Sequence, residues 1–225
     1  MGDKMVNHLN ALEEKLEKAL ILFEQLEKYE LALEHYKEVE KEANKIMGLN
    51  EVDTAEVHKL LAQCYLRQAV MLRQLGRKEE ANEANQKELE SARLSGNSIS
   101  YAQSLFSTGI NLLSNRGVEE GLQFLLEAKK WFEAENSVEH KQGLGWYWII
   151  MSDLGNKGII ASSNEQIINY ASKAIKILTQ IQNTSGISRA YNARSIAYKN
   201  MGKYELAEND LRMSENINGE NQNLR

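Results

Sequence analysis

The chain has 225 residues, a net charge of −5 at pH 7 and a sequence pI near 5.6. Apolar residues make up 42% and charged residues 26%, a composition that is typical of globular proteins and excludes wholesale disorder. Proline is absent, which excludes collagen-like and proline-rich architectures. The absence of proline also favours a helical chain, because nothing blocks an interior helical hydrogen bond.

The negative charge is concentrated at the N-terminal end. Residues 1–60 contain 8 Lys/Arg and 14 Asp/Glu, a net of −6, so the remaining residues carry +1. An acidic chain without a basic block binds nucleic acid and anionic lipid poorly, and we expect neither as a partner. The longest strongly apolar run, 146–151, is too short to cross a bilayer, and the N-terminus lacks an apolar signal region. Both observations predict a cytoplasmic protein.

Apolar residues recur at helical spacing from the first segment onward, and no segment alternates like a strand. Turn and capping residues interrupt this pattern: Asp53 with Glu56 and Ser163 with Gln166 match the capping-box pattern that begins a helix. The sequence therefore predicts an all-α fold. The predicted helices are 4–27, 29–47, 54–75, 77–95, 98–115, 118–136, 138–155, 163–181, 184–201 and 203–217.

An internal repeat organises these helices. The pentapeptide Lys28-Tyr29-Glu30-Leu31-Ala32 recurs at 203–207, and its last residue anchors intermediate copies. The five anchors are Ala32, Ala81, Gly121, Ile167 and Ala207. A small anchor lets the two helices of a hairpin cross closely, and one hairpin cannot cover its own apolar face. The repeat predicts five stacked antiparallel hairpins at about 4–47, 54–95, 98–136, 138–181 and 184–217, in one domain over 1–217 with a disordered polar tail over 218–225.

The pattern resembles the tetratricopeptide repeat (TPR) family over residues 10–217. The last unit carries the resemblance best, and the positions that match are Ala190, Tyr191, Ala197, Tyr198, Gly202, Lys203, Tyr204, Ala207 and Leu211. The long spacing is similar to the variant repeats of kinesin light chains, Pins/LGN adaptors and bacterial peptide-sensing regulators. The resemblance implies an α-solenoid that winds as a right-handed superhelix. Three features depart from the family pattern: no unit ends in proline, Glu88 replaces a small residue, and Ile167 replaces a small anchor.

The first helix of each hairpin is expected to line a concave groove that binds an extended or helical peptide. The alternative is that its apolar side chains pack against neighbouring helices, since apolar residues at helical spacing usually form the core. Leu66 and Ile196 belong to the same predicted helix faces as the candidates. The candidate groove residues are Arg67, Val70, Arg73, Phe106, Ile110, Tyr147, Met151, Arg189, Asn192 and Lys199.

Chemistry for catalysis is not apparent in the sequence. The four histidines are scattered without metal-ligand spacing, and the single cysteine, Cys64, is in an apolar helical stretch that favours a buried structural role. Neither a metal site nor a cofactor is expected. We therefore do not expect an enzyme, although one remains the third alternative.

The sequence favours a non-catalytic adaptor or scaffold that binds a peptide or partner protein in the groove. The second alternative is a regulatory sensor whose groove closes on a small ligand or signalling peptide. The helix 203–217 has no capping helix after it, which predicts that its flank, including Leu206 and Met213, is covered by a second copy of the chain or by a partner.

Overall fold

The computed structural model describes residues 2–21, 26–47, 53–114 and 117–222, and these residues form ten α-helices and no β-strand. The helices are α1 (Gly2–Ala19), α2 (Tyr29–Met47), α3 (Thr54–Gln74), α4 (Lys78–Leu94), α5 (Ser98–Ser114), α6 (Val118–Ala134), α7 (Val138–Asn156), α8 (Asn164–Gln180), α9 (Thr184–Asn200) and α10 (Tyr204–Gln222). The predicted all-α fold is therefore confirmed, and most predicted helix ends agree within two residues.

Side-chain caps explain where several helices begin. Asp53 accepts a hydrogen bond from the Ala55 amide at 3.0 Å and caps α3. Its predicted partner Glu56 pairs with Lys59 at 3.2 Å. Ser163 and Gln166 form the full reciprocal capping box at the start of α8, as predicted. Positive φ angles at Gly76 and Gly202 allow the tight turns between the helices of a hairpin, because only glycine adopts this conformation without strain.

The chain divides into two compact units, Met1–Phe124 and Leu125–Arg225, and the boundary falls within α6. The core of the first unit contains fully buried side chains from α1 to α4, among them Leu12, Tyr36, Leu61 and Met71. A core cluster in the second unit contains Ile149, Ala174, Leu178 and Ala190, from α7, α8 and α9. The single domain predicted over 1–217 and the right-handed superhelix stay predictions.

Small residues are located where two helices approach closely. A Cβ atom at Gly121 would lie 2.8 Å from the backbone carbonyl oxygen of Gly109, so the α5–α6 crossing requires glycine. In the fourth hairpin the anchor Ile167 is large, and the space it fills lies over Gly155 of α7, where a Cβ would lie 2.7 Å from the Ile167 side chain. The small residue has thus moved to the partner helix, which preserves the close packing of the hairpin.

The C-terminal end differs from the prediction. Helix α10 continues to Gln222, so the disordered tail predicted over 218–225 is wrong for residues 218–222, and 223–225 lie outside the described residues. The physical reason is that no proline interrupts the segment, and each added residue extends an existing helix with one further backbone hydrogen bond. The predicted end of the first helix at residue 27 is also wrong, because α1 ends at Ala19 and residues 26–27 form a turn; residues 22–25 lie outside the described residues.

Candidate interaction surface

The first helices of consecutive hairpins lie side by side within each unit. In the first unit α3 contacts both α1 and α5, and in the second unit α7 contacts α9. Asn156 of α7 donates to the Ala193 carbonyl of α9 at 2.8 Å, and Arg189 of α9 pairs with Asp153 of α7 at 2.8 Å. Because these first helices contact one another, they form a continuous surface within each unit.

The five candidates of the first unit lie on two neighbouring helices, Arg67, Val70 and Arg73 on α3 and Phe106 and Ile110 on α5. Arg73 is exposed and the other four are partly buried. The Arg73 guanidinium donates to Asn85 Oδ1 across the hairpin at 3.5 Å. The structure thus places all five on a pair of helices that touch, with both apolar and cationic side chains reaching solvent.

The candidates of the second unit divide into core and surface. Tyr147 is only 6% exposed and its ring meets the Trp148 ring edge-on at 4.9 Å, so its burial argues against the predicted groove-lining role. Most residues of α7 are buried or partly buried, and helical periodicity alone does not distinguish a core-facing residue from a groove-facing one. Met151 is partly buried, and Arg189, Asn192 and Lys199 are exposed.

Ile196 is a large apolar surface residue in the middle of a first helix. It is 47% exposed on α9, and Asn192 and Lys199, four residues before it and three after it, lie on the same helix face and are also exposed. Arg189 stands over the Trp146 ring at 5.7 Å while pairing with Asp153. The α9 surface therefore combines one exposed aliphatic side chain with an amide, an ammonium and a guanidinium group.

Glu88 is the most unusual titratable group near the first helices. Its side chain on α4 is 1% exposed, and Oε2 has no hydrogen-bond partner in the protein. Burial raises the pKa of Glu88 to about 8, although hydrogen bonds from Ser104 and Ser107 of α5 and the charge of Arg73 favour the ionised form. A buried carboxyl with an unused oxygen is costly, which marks this position as a candidate site.

Glu88 also lines a recess of about 20 Å³ that opens between α3 and α5. The sequence did not reveal the polar residues of this recess, because an isolated glutamine or serine carries no periodic signal. The one signal available was Glu88 itself, a charged residue at a position where the repeat uses a small one. The residues that line the recess are Ala62, Gln63, Leu66, Glu88, Ser100, Gln103 and Ser104.

Cys64 has a structural role in this fold. It is fully buried, and its Sγ–H donates to the Tyr36 backbone carbonyl at 2.9 Å. Burial raises the pKa of Cys64 to about 12, so the thiol stays protonated at neutral pH and is a poor nucleophile. This confirms the prediction of a buried structural cysteine.

A larger cavity of about 290 Å³ lies between α2, α3 and α4, and hydrogen bonds join some of the side chains that line it. Glu40 at its wall accepts from Tyr65, Gln68 and Lys87, at 3.1, 2.8 and 3.4 Å. Within the described residues, no group of three or more His, Cys, Asp or Glu side chains is arranged to hold a metal ion. None of the helices in the described ranges combines the length and the apolar character needed to span a bilayer.

Comparison with known proteins identifies the fold. No protein-family model and no curated protein matches the chain. Among solved structures, BtubC (BKLC) from P. vanneervenii is 14% identical with a TM-score of 0.61, over 97% of this chain and 92% of that protein. The TPR-like repeats of a kinesin light chain candidate from Podosopora anserina are 14% identical with a TM-score of 0.63, over 96% and 98%.

A third structure is a signal-transduction ATPase (STAND) protein with a tetratricopeptide repeat sensor from Pyrococcus horikoshii. It is 19% identical with a TM-score of 0.64, and the match covers 92% of this chain but 31% of that protein. These matches agree with the ten helices, the repeated hairpins and the small residues at the helix crossings described above. The chain therefore has the all-α solenoid fold of tetratricopeptide repeats.

Proposed function

We propose that this chain is a non-catalytic adaptor that binds a peptide or a segment of a partner protein on the first helices of its hairpins. Stacked repeats offer an extended surface and no enclosed catalytic chamber, which supports a binding role. We further propose that it acts in the cytoplasm, since an acidic chain with one buried cysteine needs no oxidising compartment.

The observation that carries this proposal is the α9 surface. Ile196 is a large aliphatic side chain that is nearly half exposed, and the polar side chains of Asn192 and Lys199 flank it. An apolar anchor surrounded by hydrogen-bonding groups is the usual composition of a peptide-binding contact. The partly buried Met151 on the neighbouring α7 adds apolar surface to the same unit.

The test compares two exposed residues that differ in location. Ile196 on α9 and Leu94 on α4 are 47% and 46% exposed, so Ile196→Ser and Leu94→Ser remove similar amounts of accessible aliphatic surface. Proteins captured from native cells by the wild-type chain would be identified by mass spectrometry and then measured with both variants. We expect Ile196→Ser to lose a specific partner that Leu94→Ser retains.

Equal retention of every captured protein by Ile196→Ser would contradict the proposal. Loss of the partner with both variants would contradict the assignment of binding to the first helices. Circular dichroism must show that both variants are folded, which we expect because neither side chain belongs to the core.

A sensor that closes on a small signal is the second proposal, and one observation favours it. The P. horikoshii structure, whose repeats are described as a sensor, matches 92% of this chain. Small-angle scattering distinguishes the two roles, because a sensor contracts when its ligand is added and an adaptor keeps its dimensions. An unchanged radius of gyration with the captured partner's peptide would reject the sensor.

We also propose that α10 associates with a second copy of the chain. Leu206 and Met213 are 47% and 40% exposed on this helix, in agreement with an uncovered flank. The residue four positions after each repeat anchor supports this proposal. In the first four hairpins this residue is buried, whereas Leu211 in the last hairpin is 42% exposed. The four buried residues are Tyr36, Asn85, Leu125 and Ala171. A monomeric mass in light scattering at high protein concentration would reject self-association.

A further inference from the structure

Unit 1 contains a polar recess on the same helix faces as the predicted groove residues. On α3, Gln63 precedes Leu66 and Val70 by three and seven residues, and on α5 Gln103 precedes Phe106 and Ile110 by the same steps. Residues three and seven apart share one face of a helix. The mouth of the recess therefore opens onto the first-helix surface proposed above to bind a partner.

The recess becomes more buried from its rim to its floor. Gln63 and Gln103 at the rim are exposed, and Leu66 and Ser100 are partly buried. Ser104 and Glu88 at the floor are 2% and 1% exposed. A single group that enters thus passes two amides and an aliphatic wall before it reaches a carboxyl group.

The carboxyl group at the floor of the recess lacks a hydrogen bond to one of its oxygens. Glu88 Oε2 is buried without a hydrogen-bond partner, although Ser104 and Ser107 bond to the same carboxyl group. An unsatisfied buried acceptor is costly, so a donor that reaches Oε2 is stabilised there. The volume of about 20 Å³ admits one group the size of a water molecule, and an ammonium group has about that size.

The acceptor at the floor is an acidic group, and its ionised form favours a cationic donor. The Arg73 charge favours that ionised form, although it also repels a second cation. Arg73 itself contacts Asn85 and leaves Oε2 unpaired.

We propose that this recess binds the ammonium group of a lysine side chain of the partner, with Glu88 as the acceptor at its floor. This inference rests on the proposed binding function and refines it, since it predicts a basic residue in the bound segment. The lysine methylenes would lie along Leu66 and the ammonium would donate to Glu88 Oε2. The rim amides of Gln63 and Gln103 would face the start of the lysine side chain.

The test uses a free amine, so that its outcome does not depend on capturing any partner. The intact chain, labelled with ¹³C at glutamate carboxyls, is titrated with n-butylammonium chloride at a pH above the Glu88 pKa of about 8. The Glu88 signal is assigned by its disappearance in Glu88→Gln. We expect a saturable shift of that signal, with n-butanol binding at least about tenfold more weakly because it lacks the charge.

Two variants separate the recess from general ionic effects. Ser100→Leu narrows the recess and keeps Glu88, so the butylammonium shift at Glu88 should disappear. Gln86→Leu is the matched control, because Gln86 is exposed on α4 outside the recess, and the shift should persist. An unchanged Glu88 signal in the wild-type chain, or equal binding of butanol, would overturn the proposal and leave the recess as a site for water alone.

Discussion

Each of the two units buries an acidic side chain, and the two differ in whether both carboxyl oxygens are hydrogen-bonded. In the second unit Asp210 on α10 is 2% exposed and accepts two hydrogen bonds from Arg194 on α9, at 2.7 and 2.8 Å. The same guanidinium donates to Ser172 of α8 at 2.9 Å, and it lies over the Tyr191 and Tyr198 rings, at 5.3 and 5.8 Å. In the first unit Glu88 is equally buried and keeps one oxygen unpaired.

This difference indicates two uses of a buried charge. A bidentate pair whose atoms are all bonded connects three helices and fixes their arrangement, although its net contribution to stability is small compared with an apolar core. A buried acid with an unused oxygen weakens its own unit, so its presence requires an explanation. We therefore infer a structural role for Asp210 and a binding role for Glu88.

The largest effect is expected from breaking the Asp210 pair. Asp210→Ala leaves the Arg194 guanidinium partly buried without its carboxylate and should lower the free energy of unfolding of the second unit by about 3–5 kcal/mol. All three tryptophans, Trp131, Trp146 and Trp148, belong to this unit. Denaturant unfolding followed by tryptophan fluorescence therefore measures the loss.

The double variant Asp210→Leu with Arg194→Met is the control for that experiment. It removes both charges and keeps the side-chain volume, so it should recover most of the stability lost by Asp210→Ala. A double variant as unstable as the single one would show that α10 depends on the hydrogen bonds themselves.

The second prediction concerns pH and the first unit. Because its pKa rises from 4.5 to about 8 on folding, Glu88 holds a proton in the folded chain that the unfolded chain releases. This contribution to stability is fully present below pH 4.5 and is lost as the pH rises through about 8, with a limiting slope of about 1.4 kcal/mol per pH unit. Unfolding of the wild-type chain measured by circular dichroism across this range should show the decline.

Glu88→Gln tests the origin of that slope. Glutamine has nearly the same shape and does not titrate, so the difference in stability between the variant and the wild-type chain should grow as the pH rises from 4.5 to 8. Parallel curves for the two proteins would mean that Glu88 does not cause the pH dependence.

The third prediction concerns the close crossing of α5 and α6. Gly121→Ala places a Cβ 2.8 Å from the Gly109 carbonyl oxygen, and a backbone atom cannot move aside cheaply. We expect a loss of about 1–3 kcal/mol in the free energy of unfolding, despite the better helix propensity of alanine. Gln123→Ala, an exposed substitution on the same helix, should change stability by less than about 0.5 kcal/mol. Equal effects of the two would contradict the tight crossing.

The smallest effect is expected at the helix caps, where one cap from each unit can be compared. Asp53→Ala removes the bond to the Ala55 amide at the start of α3 and should cost about 1 kcal/mol. Ser163→Ala in the second unit removes one half of a reciprocal capping box and leaves the Gln166 side chain bonded to the Ser163 backbone amide. Thermal melting should therefore show similar losses, and no loss at Asp53 would reject its capping role.

Most of the helical architecture could be predicted from the sequence, because helix periodicity and turn chemistry are local properties. The register of the fourth hairpin was harder to predict. Ile167 breaks the small-residue rule, and its compensation by Gly155 lies twelve residues away on another helix. The site was only partly predictable: the exposed surface of α9 follows from periodicity, whereas Tyr147 shares the apolar spacing and is buried.

The amino-acid sequence by itself determined that this protein is a set of paired helices with small residues at their crossings, since 3.6-residue periodicity and glycine turns act over a few residues. Only the tertiary structure decided which charged groups are satisfied. Whether Glu88 keeps a free oxygen or Asp210 gains two donors depends on side chains from other helices. Burial is a property of the packed neighbours, and no local pattern records them.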